Sequence, residues 1–151
     1  MKILIADDNY QKQEELKKFV EDKFPYADIE QQFAFNSTFK ALNSNDYDFV
    51  FLDMTMPSFE QSKGDITDQT LRTLAGKDIV TNLSYRNIFV KIIIVTQFEV
   101  FGRHDQITPI DSIFNELKEK HPKMILGCVL FDFQSDSWKI DLHKLIESNQ
   151  C

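Results

Sequence analysis

The sequence predicts a doubly wound α/β domain, with a parallel sheet in the order 2-1-3-4-5 and helices on both faces. Three observations predict it. Short β-rich apolar runs alternate along the chain with stretches whose apolar residues recur at helical spacing, the rhythm of a parallel sheet crossed over by helices. Two middle runs, Phe49–Leu52 and Val90–Val95, are solidly apolar, as strands covered on both faces must be. The length, 151 residues with 42% hydrophobic and 14 Phe, suits one domain with a full core and leaves no room for a second.

The strand candidates are Ile3–Ala6, Ile29–Phe35, Phe49–Leu52, Val90–Val95 and Met124–Phe131. Between the first two, Leu16, Phe19, Val20 and Phe24 share one helical face, and Asp8 or Asn9 can cap a helix starting near Tyr10. A weaker helix is predicted over Ser37–Asn43. Ile79, Val80 and Leu83 mark a third helix. Ile110, Ile113, Phe114 and Leu117 mark a fourth, with Asp111 near its start and Lys118 and Lys120 near its end, where each suits the helix dipole. Trp138, Leu142, Leu145 and Ile146 mark a fifth, with Asp136 and Ser137 placed to cap it. Five strands in this rhythm suit the flavodoxin-like order.

Composition narrows the function classes. The formal net charge of −7 would repel a phosphate backbone, so direct nucleic-acid binding is not expected. No apolar run is long enough to span a bilayer, and the N-terminus meets Asp7 and Asp8 too early for a signal peptide. Cys128 and Cys151 make no disulfide framework, which points to a reducing cytoplasm. His104, His121 and His143 have no paired spacing and suggest no zinc site. No Gly-rich phosphate loop is present.

Sheets of this kind bind ligands at the carboxyl ends of their strands. There the first strand ends in Asp7 and Asp8, the third in Asp53 and the fourth in Thr96. Any one acid after a strand serves equally well as a cap or turn residue. Their combination on neighbouring strands brings like charges together, which should raise their proton affinities or demand a cation, and an oxygen-only site suits Mg²⁺ or another hard divalent ion. A carboxylate beside that ion can act as a nucleophile toward a phosphoryl group.

Three stretches carry a family resemblance: Ile3-Leu-Ile-Ala-Asp-Asp-Asn9, Phe49-Val-Phe-Leu-Asp-Met-Thr-Met-Pro57 and Ile92-Ile-Ile-Val-Thr96. In this order, over essentially the whole chain, they resemble the receiver domain of two-component response regulators. The Asp-Met-Thr-Met-Pro stretch is the most specific. The resemblance implies that Asp53 is the phosphoacceptor, that Asp7, Asp8 and Asp53 hold Mg²⁺ with the backbone carbonyl of Thr55, and that Thr96 is the switch hydroxyl. It places Phe131 near the switch aromatic. It also implies a histidine kinase or phosphotransfer protein as donor and a protein effector downstream, with homodimerisation as an option. Any catalysis would be confined to Mg²⁺-dependent phosphorylation and dephosphorylation of Asp53 itself. No output domain follows the last helix, so the output is expected in a partner or in a larger protein.

Departures from the family pattern are equally specific. Receivers carry a Lys just after the last strand. Here that stretch reads Phe131-Asp-Phe-Gln-Ser-Asp-Ser137, with no Lys. Gln134 is the nearest match and carries no charge. Lys139 comes too late and Lys123 precedes the strand. The loss removes a charge-assisted contact to the phosphoryl group. Insertions are also predicted near 58–76, with a short helix over Thr67–Leu74, and near 97–108. Both emerge beside the acids, so Arg103 or Lys63 could supply the missing cation. Phe98 and Phe101 in the second insertion either anchor a partner or tuck the loop down.

These departures favour an alternative, a degenerate receiver that binds partners without phosphorylation. Two enzyme-like readings fare worse. A haloacid-dehalogenase-type phosphatase needs a second Asp two positions after Asp53, where Thr55 stands. Flavodoxin needs hydroxyls and amides in its first loop, where Asp7 and Asp8 would repel phosphate.

Overall fold

A computed structural model describes residues 1–59, 75–97, 100–101 and 108–150. The strands are β1 (Lys2–Ala6), β2 (Asp28–Gln32), β3 (Phe49–Leu52), β4 (Lys91–Thr96), β5 (Val100–Phe101), β6 (Thr108–Pro109) and β7 (Ile125–Leu130). The helices are α1 (Tyr10–Lys23), α2 (Phe35–Ser44), α3 (Ala75–Tyr85), α4 (Ile110–Lys120) and α5 (Ser137–Asn149). Five parallel strands pair in the order β2-β1-β3-β4-β7, which is the predicted 2-1-3-4-5. Outside that sheet, β5 and β6 form a short antiparallel pair. The predicted helix over Thr67–Leu74 lies outside the described residues.

Alternation along each strand splits the core in two. Ile3, Ile5, Phe49, Phe51, Ile93, Val95 and Val129 face α1 and α5, meeting Leu16, Phe19, Val20, Trp138, Leu142 and Ile146. Leu4, Val50, Leu52, Ile92 and Ile94 face the other way, toward Ala41 and Leu42 of α2, Ile79 and Leu83 of α3, and Ile113 and Leu117 of α4. A strand with both faces covered must be apolar where it is covered, which is why Phe49–Leu52 in β3 and Ile92–Val95 in β4 read as unbroken runs. Trp138 bridges one layer, its ring 5.7 Å from Phe19 and 4.8 Å from Phe131.

The second strand is shorter than predicted. It stops at Gln32, and Phe35 opens α2. The first amides of that helix would otherwise lack acceptors. Phe35 N–H donates to Pro57 O (2.8 Å) and Asn36 N–H to Ser58 O (3.0 Å), so the segment after β3 caps α2 and draws Phe35 into the core. At α5, Asp136 makes no side-chain cap. Ser135 Oγ accepts from Ser137 N–H instead, at 3.1 Å.

Candidate functional site

Register places the acids. Ala6 lies opposite Leu52, so the residues that follow, Asp7 and Asp53, leave the sheet side by side at its carboxyl edge. Asp53 N–H donates to Ala6 O at 2.9 Å, which fixes their spacing. Asp7 Oδ1 accepts from Asn9 N–H (2.9 Å), and Asn9 Oδ1 accepts from Lys12 N–H (3.0 Å). Strand end, turn and helix start are thereby one hydrogen-bonded unit, with Asn9 as the helix cap. Gln13 adds a second tie. Its Nε2 lies 3.0 Å from Ile5 O and from Asp7 O and 2.9 Å from Gln32 O, holding the ends of β1 and β2 together.

Asp7 and Asp53 are buried, at 2% and 4% exposure, and Asp8 is half-buried. Carboxylate oxygens of the three lie within 4.8 Å of one another. They line a hollow of about 220 Å³ with Asn9, Lys12, Thr55 and Gln97. Burial pushes the Asp53 carboxyl up to about 7; the Lys12 ammonium opposes the rise, and Asp7 and Asp8 add to it. Asp7 is raised by burial against the pull of Lys12, and Asp8 by burial and by the Asp7 charge.

These groups fit a hard divalent ion. Oxygens that share one Mg²⁺ at about 2.1 Å are separated by at most about 4.2 Å, close to the spread of this cluster. Asp7 Oδ2 is buried and meets only the Lys12 ammonium, so it has capacity for a metal. Thr55 lies in the same hollow.

The other candidate residues divide. Thr96 is fully buried at the end of β4, opposite Leu130, and its carbonyl accepts from Phe131 N–H at 2.8 Å. Phe131 directly follows β7 and is buried between Trp138 and Phe133, whose ring centroids are each 4.8 Å away. Gln134 does not reach the acids. It lines a neighbouring hollow with Asp132 and Phe133, and its N–H donates to Asp132 Oδ1. Arg103 and Lys63 lie outside the described residues, as does Phe98. Cys128 is half-buried against the core, and burial pushes its thiol up to about 11.

One site residue escaped the sequence reading. Lys12 is 1% exposed, pairs with Asp7 Oδ2 and lies 3.6 Å from Asp53 Oδ1. Its ammonium donates to Val95 O at 2.8 Å and sits 5.8 Å from the centroid of the Phe131 ring. A signal was present. Counting back from Leu16, positions 12 and 13 continue the buried stripe of α1, and both hold polar residues.

A five-stranded sheet in this order, with acids converging where β1 and β3 end, defines the receiver class of signalling domain. The chain belongs to the response regulators: it is 50% identical over 147 residues to the Detocs response regulatory protein DtcB of Enterobacter cloacae, an alignment covering 97% of this chain and 98% of that one. An uncharacterized Sinorhizobium fredii protein, y4jR, is 29% identical over 139 residues, 92% of each chain. Among solved structures, the response regulator TrrA of Thermotoga maritima, in complex with Mg²⁺ and beryllium fluoride, matches with a TM-score of 0.60 and 20% identity, covering 95% of this chain and 97% of that one. Chemotaxis protein CheY4 of Vibrio cholerae matches with a TM-score of 0.63 and 13% identity over 99% and 98%. No family model matches the sequence. The chain is thus a response regulator receiver of two-component signalling. Receivers are generally not catalytic enzymes, and they act through kinases and downstream effectors. No helix among the described residues is long and apolar enough to cross a membrane.

Proposed function

We propose that this chain is one receiver domain with insertions near 58–76 and 97–108, and that it is switched in the cytoplasm by phosphorylation of Asp53. The observation that carries the proposal is the convergence of Asp7, Asp8 and Asp53 oxygens within 4.8 Å at the edge where β1 and β3 end. Asp7, Asp8 and Asp53 would hold Mg²⁺ with the Thr55 carbonyl. The ion supplies charge neutralisation for an incoming phosphoryl group when bound. An Asp53 carboxylate oxygen attacks the phosphorus of a phosphohistidine on a kinase or phosphotransfer protein. The new P–O bond forms as the P–N bond breaks, and the electron pair returns to the imidazole. Met54 N–H, 2.9 Å from Asp53 Oδ1, orients the carboxylate during attack.

The signal leaves through Thr96. Its hydroxyl is drawn to the phosphoryl oxygens, and the shift passes through the Thr96–Phe131 backbone hydrogen bond to Phe131, Trp138 and the α4–β7–α5 face. A protein effector, or a second copy of the chain, reads that face. Beryllofluoride, which stands in for the phosphoryl group, tests this reading in the presence of Mg²⁺. Saturable amide shifts that reach Thr96 and Phe131 in the wild type and vanish in Asp53→Ala are the expected result. Shifts confined to Asp7 and Asp8, and unchanged in Asp53→Ala, would favour a receiver that binds partners without phosphorylation.

A further inference from the structure

We propose that Lys12, on the first turn of α1, is the cation that binds the phosphoryl group on Asp53, taking from one side of the crevice the task for which the chain has no lysine directly after β7. The inference rests on the phosphoacceptor reading of Asp53.

Four observations carry it. First, Lys12 is the only cation among the described residues lining the acidic hollow. Once Asp53 carries the phosphoryl group its own carboxylate charge is gone, but about two phosphoryl charges join those of Asp7 and Asp8, and one divalent ion does not balance that sum. Second, the ammonium is costly where it stands. It is almost wholly buried, and it occupies the positive end of a helix whose first turn holds no acid. Third, its position is built. Val95 O takes one of its protons at 2.8 Å, while Asp7 Oδ2 pairs with the ammonium by charge and makes no hydrogen bond, which leaves N–H capacity for another acceptor. Fourth, the 3.6 Å gap to Asp53 Oδ1 is too long for a hydrogen bond. A phosphoryl oxygen carried on Asp53 projects beyond the carboxylate and closes that gap.

The stretch where a receiver's lysine would sit begins with Phe131 directly after β7 and includes Gln134, which does not reach the acids. The Phe131 ring lies 5.8 Å from Lys12 Nζ, so Lys12 meets the start of that stretch in space although the two are 119 positions apart in sequence. The face of an aromatic ring attracts an ammonium. Phe131 therefore provides a wall for the cation it cannot itself supply.

The test uses the whole chain and measures two affinities, Mg²⁺ alone and beryllofluoride in saturating Mg²⁺, for the wild type and for Lys12→Met. The expected result is a beryllofluoride affinity at least about tenfold weaker in Lys12→Met, the scale of a lost hydrogen bond to a charged group. Mg²⁺ affinity should hold or tighten, because a positive charge has left Asp7. Equal beryllofluoride affinities, or parallel losses of both ligands, would overturn the assignment and leave Lys12 as an organiser of the acids. Absence of beryllofluoride binding to the wild type would instead retire the phosphoacceptor reading, and this inference with it. A measurement on the wild type needs no variant to fold. The ¹⁵N side-chain resonance of the buried Lys12 ammonium should move on adding beryllofluoride to the Mg²⁺ form, and an unmoved resonance counts against the proposal.

Discussion

Gly76→Ala should destabilise the protein although it places a better helix former in α3. Gly76 N–H donates to Met54 O at 3.1 Å, so the helix starts hard against the segment that follows Asp53. A Cβ at this position would stand 2.8 Å from Asp53 O, 2.9 Å from Met54 Sδ and 3.1 Å from Met54 Cα. Two of these neighbours are backbone, and Asp53 is further tied to Ala6 by its own amide. Overpacking of this kind costs about 1–3 kcal/mol. The opposing gain in helix propensity is at most about 1 kcal/mol, and less in a first turn than in an interior. The clash wins by about 1–2 kcal/mol, which for this length lowers Tm by roughly 2–8 °C. Gly127→Ala is the internal control. Its Cβ would meet Leu145 methyls at 2.7 and 2.9 Å, the far end of a side chain that can rotate away. The strand gains rigidity from the change, so its stability should stay within about 1 kcal/mol of wild type. Thermal and urea unfolding of both variants decide the matter. A neutral or stabilised Gly76→Ala, or a Gly127→Ala that loses more, would refute the argument that backbone contact and not mere closeness sets the cost. Because the displaced atoms belong to Asp53 and Met54, Gly76→Ala should also weaken Mg²⁺ binding.

Other predictions address the acids and the core. Burial raises the Asp53 carboxyl from an ordinary 3.8 to about 7, so between those values the folded chain holds a proton that the unfolded chain has released. Its contribution to stability therefore falls as pH rises through that window, and Mg²⁺ should raise Tm more at pH 8 than at pH 5; a pH-independent Mg²⁺ increment would contradict this. Asp53→Asn keeps an acceptor for Met54 N–H and removes a charge that burial and its acidic neighbours disfavour. At pH 8 without Mg²⁺ it should stabilise the fold by on the order of 1–2 kcal/mol in urea titrations. Trp138→Ala removes a side chain only 2% exposed between Phe19 and Phe131, and should cost about 3–5 kcal/mol by far-UV circular dichroism. In a Cys151→Ser background, Cys128 should react with iodoacetamide at pH 8 far more slowly than a free thiol, because burial holds it protonated to about 11. Labelling as fast as a small thiol would mean the α4–β7 packing around it opens readily.

Much of the architecture is legible in the sequence because it follows from local patterns. Phe49–Leu52 and Ile92–Val95 announce doubly covered strands by being apolar without interruption, and the Ile110–Leu117 face announces α4 by its spacing. Asp7, Asp8 and Asp53 are legible for the same reason, since a strand's end and the class of sheet together fix where its next residue points. The boundary between β2 and α2 was not legible. Phe33, Ala34 and Phe35 tolerate either structure, and what stops the strand at Gln32 is a pair of acceptor carbonyls at Pro57 and Ser58, supplied by a segment some twenty residues downstream.

Lys12 marks the division most clearly. Sequence alone determined the sheet order, the three acids, Thr96 and the absence of a lysine after the last strand. It pointed to Gln134 and Arg103 as replacements because both stand near strand ends in the chain. Only the tertiary structure decided that a lysine five residues after the first acid turns inward, passes beneath the Phe131 ring and reaches Asp7, Asp53 and Val95 O together. The physical reason is geometric. A carboxylate at a strand end is placed by its own backbone. The head of a four-carbon side chain is placed by whichever elements enclose it, and those come from β1, β3, β4 and the turn after β7, brought together only when the sheet closes over α1.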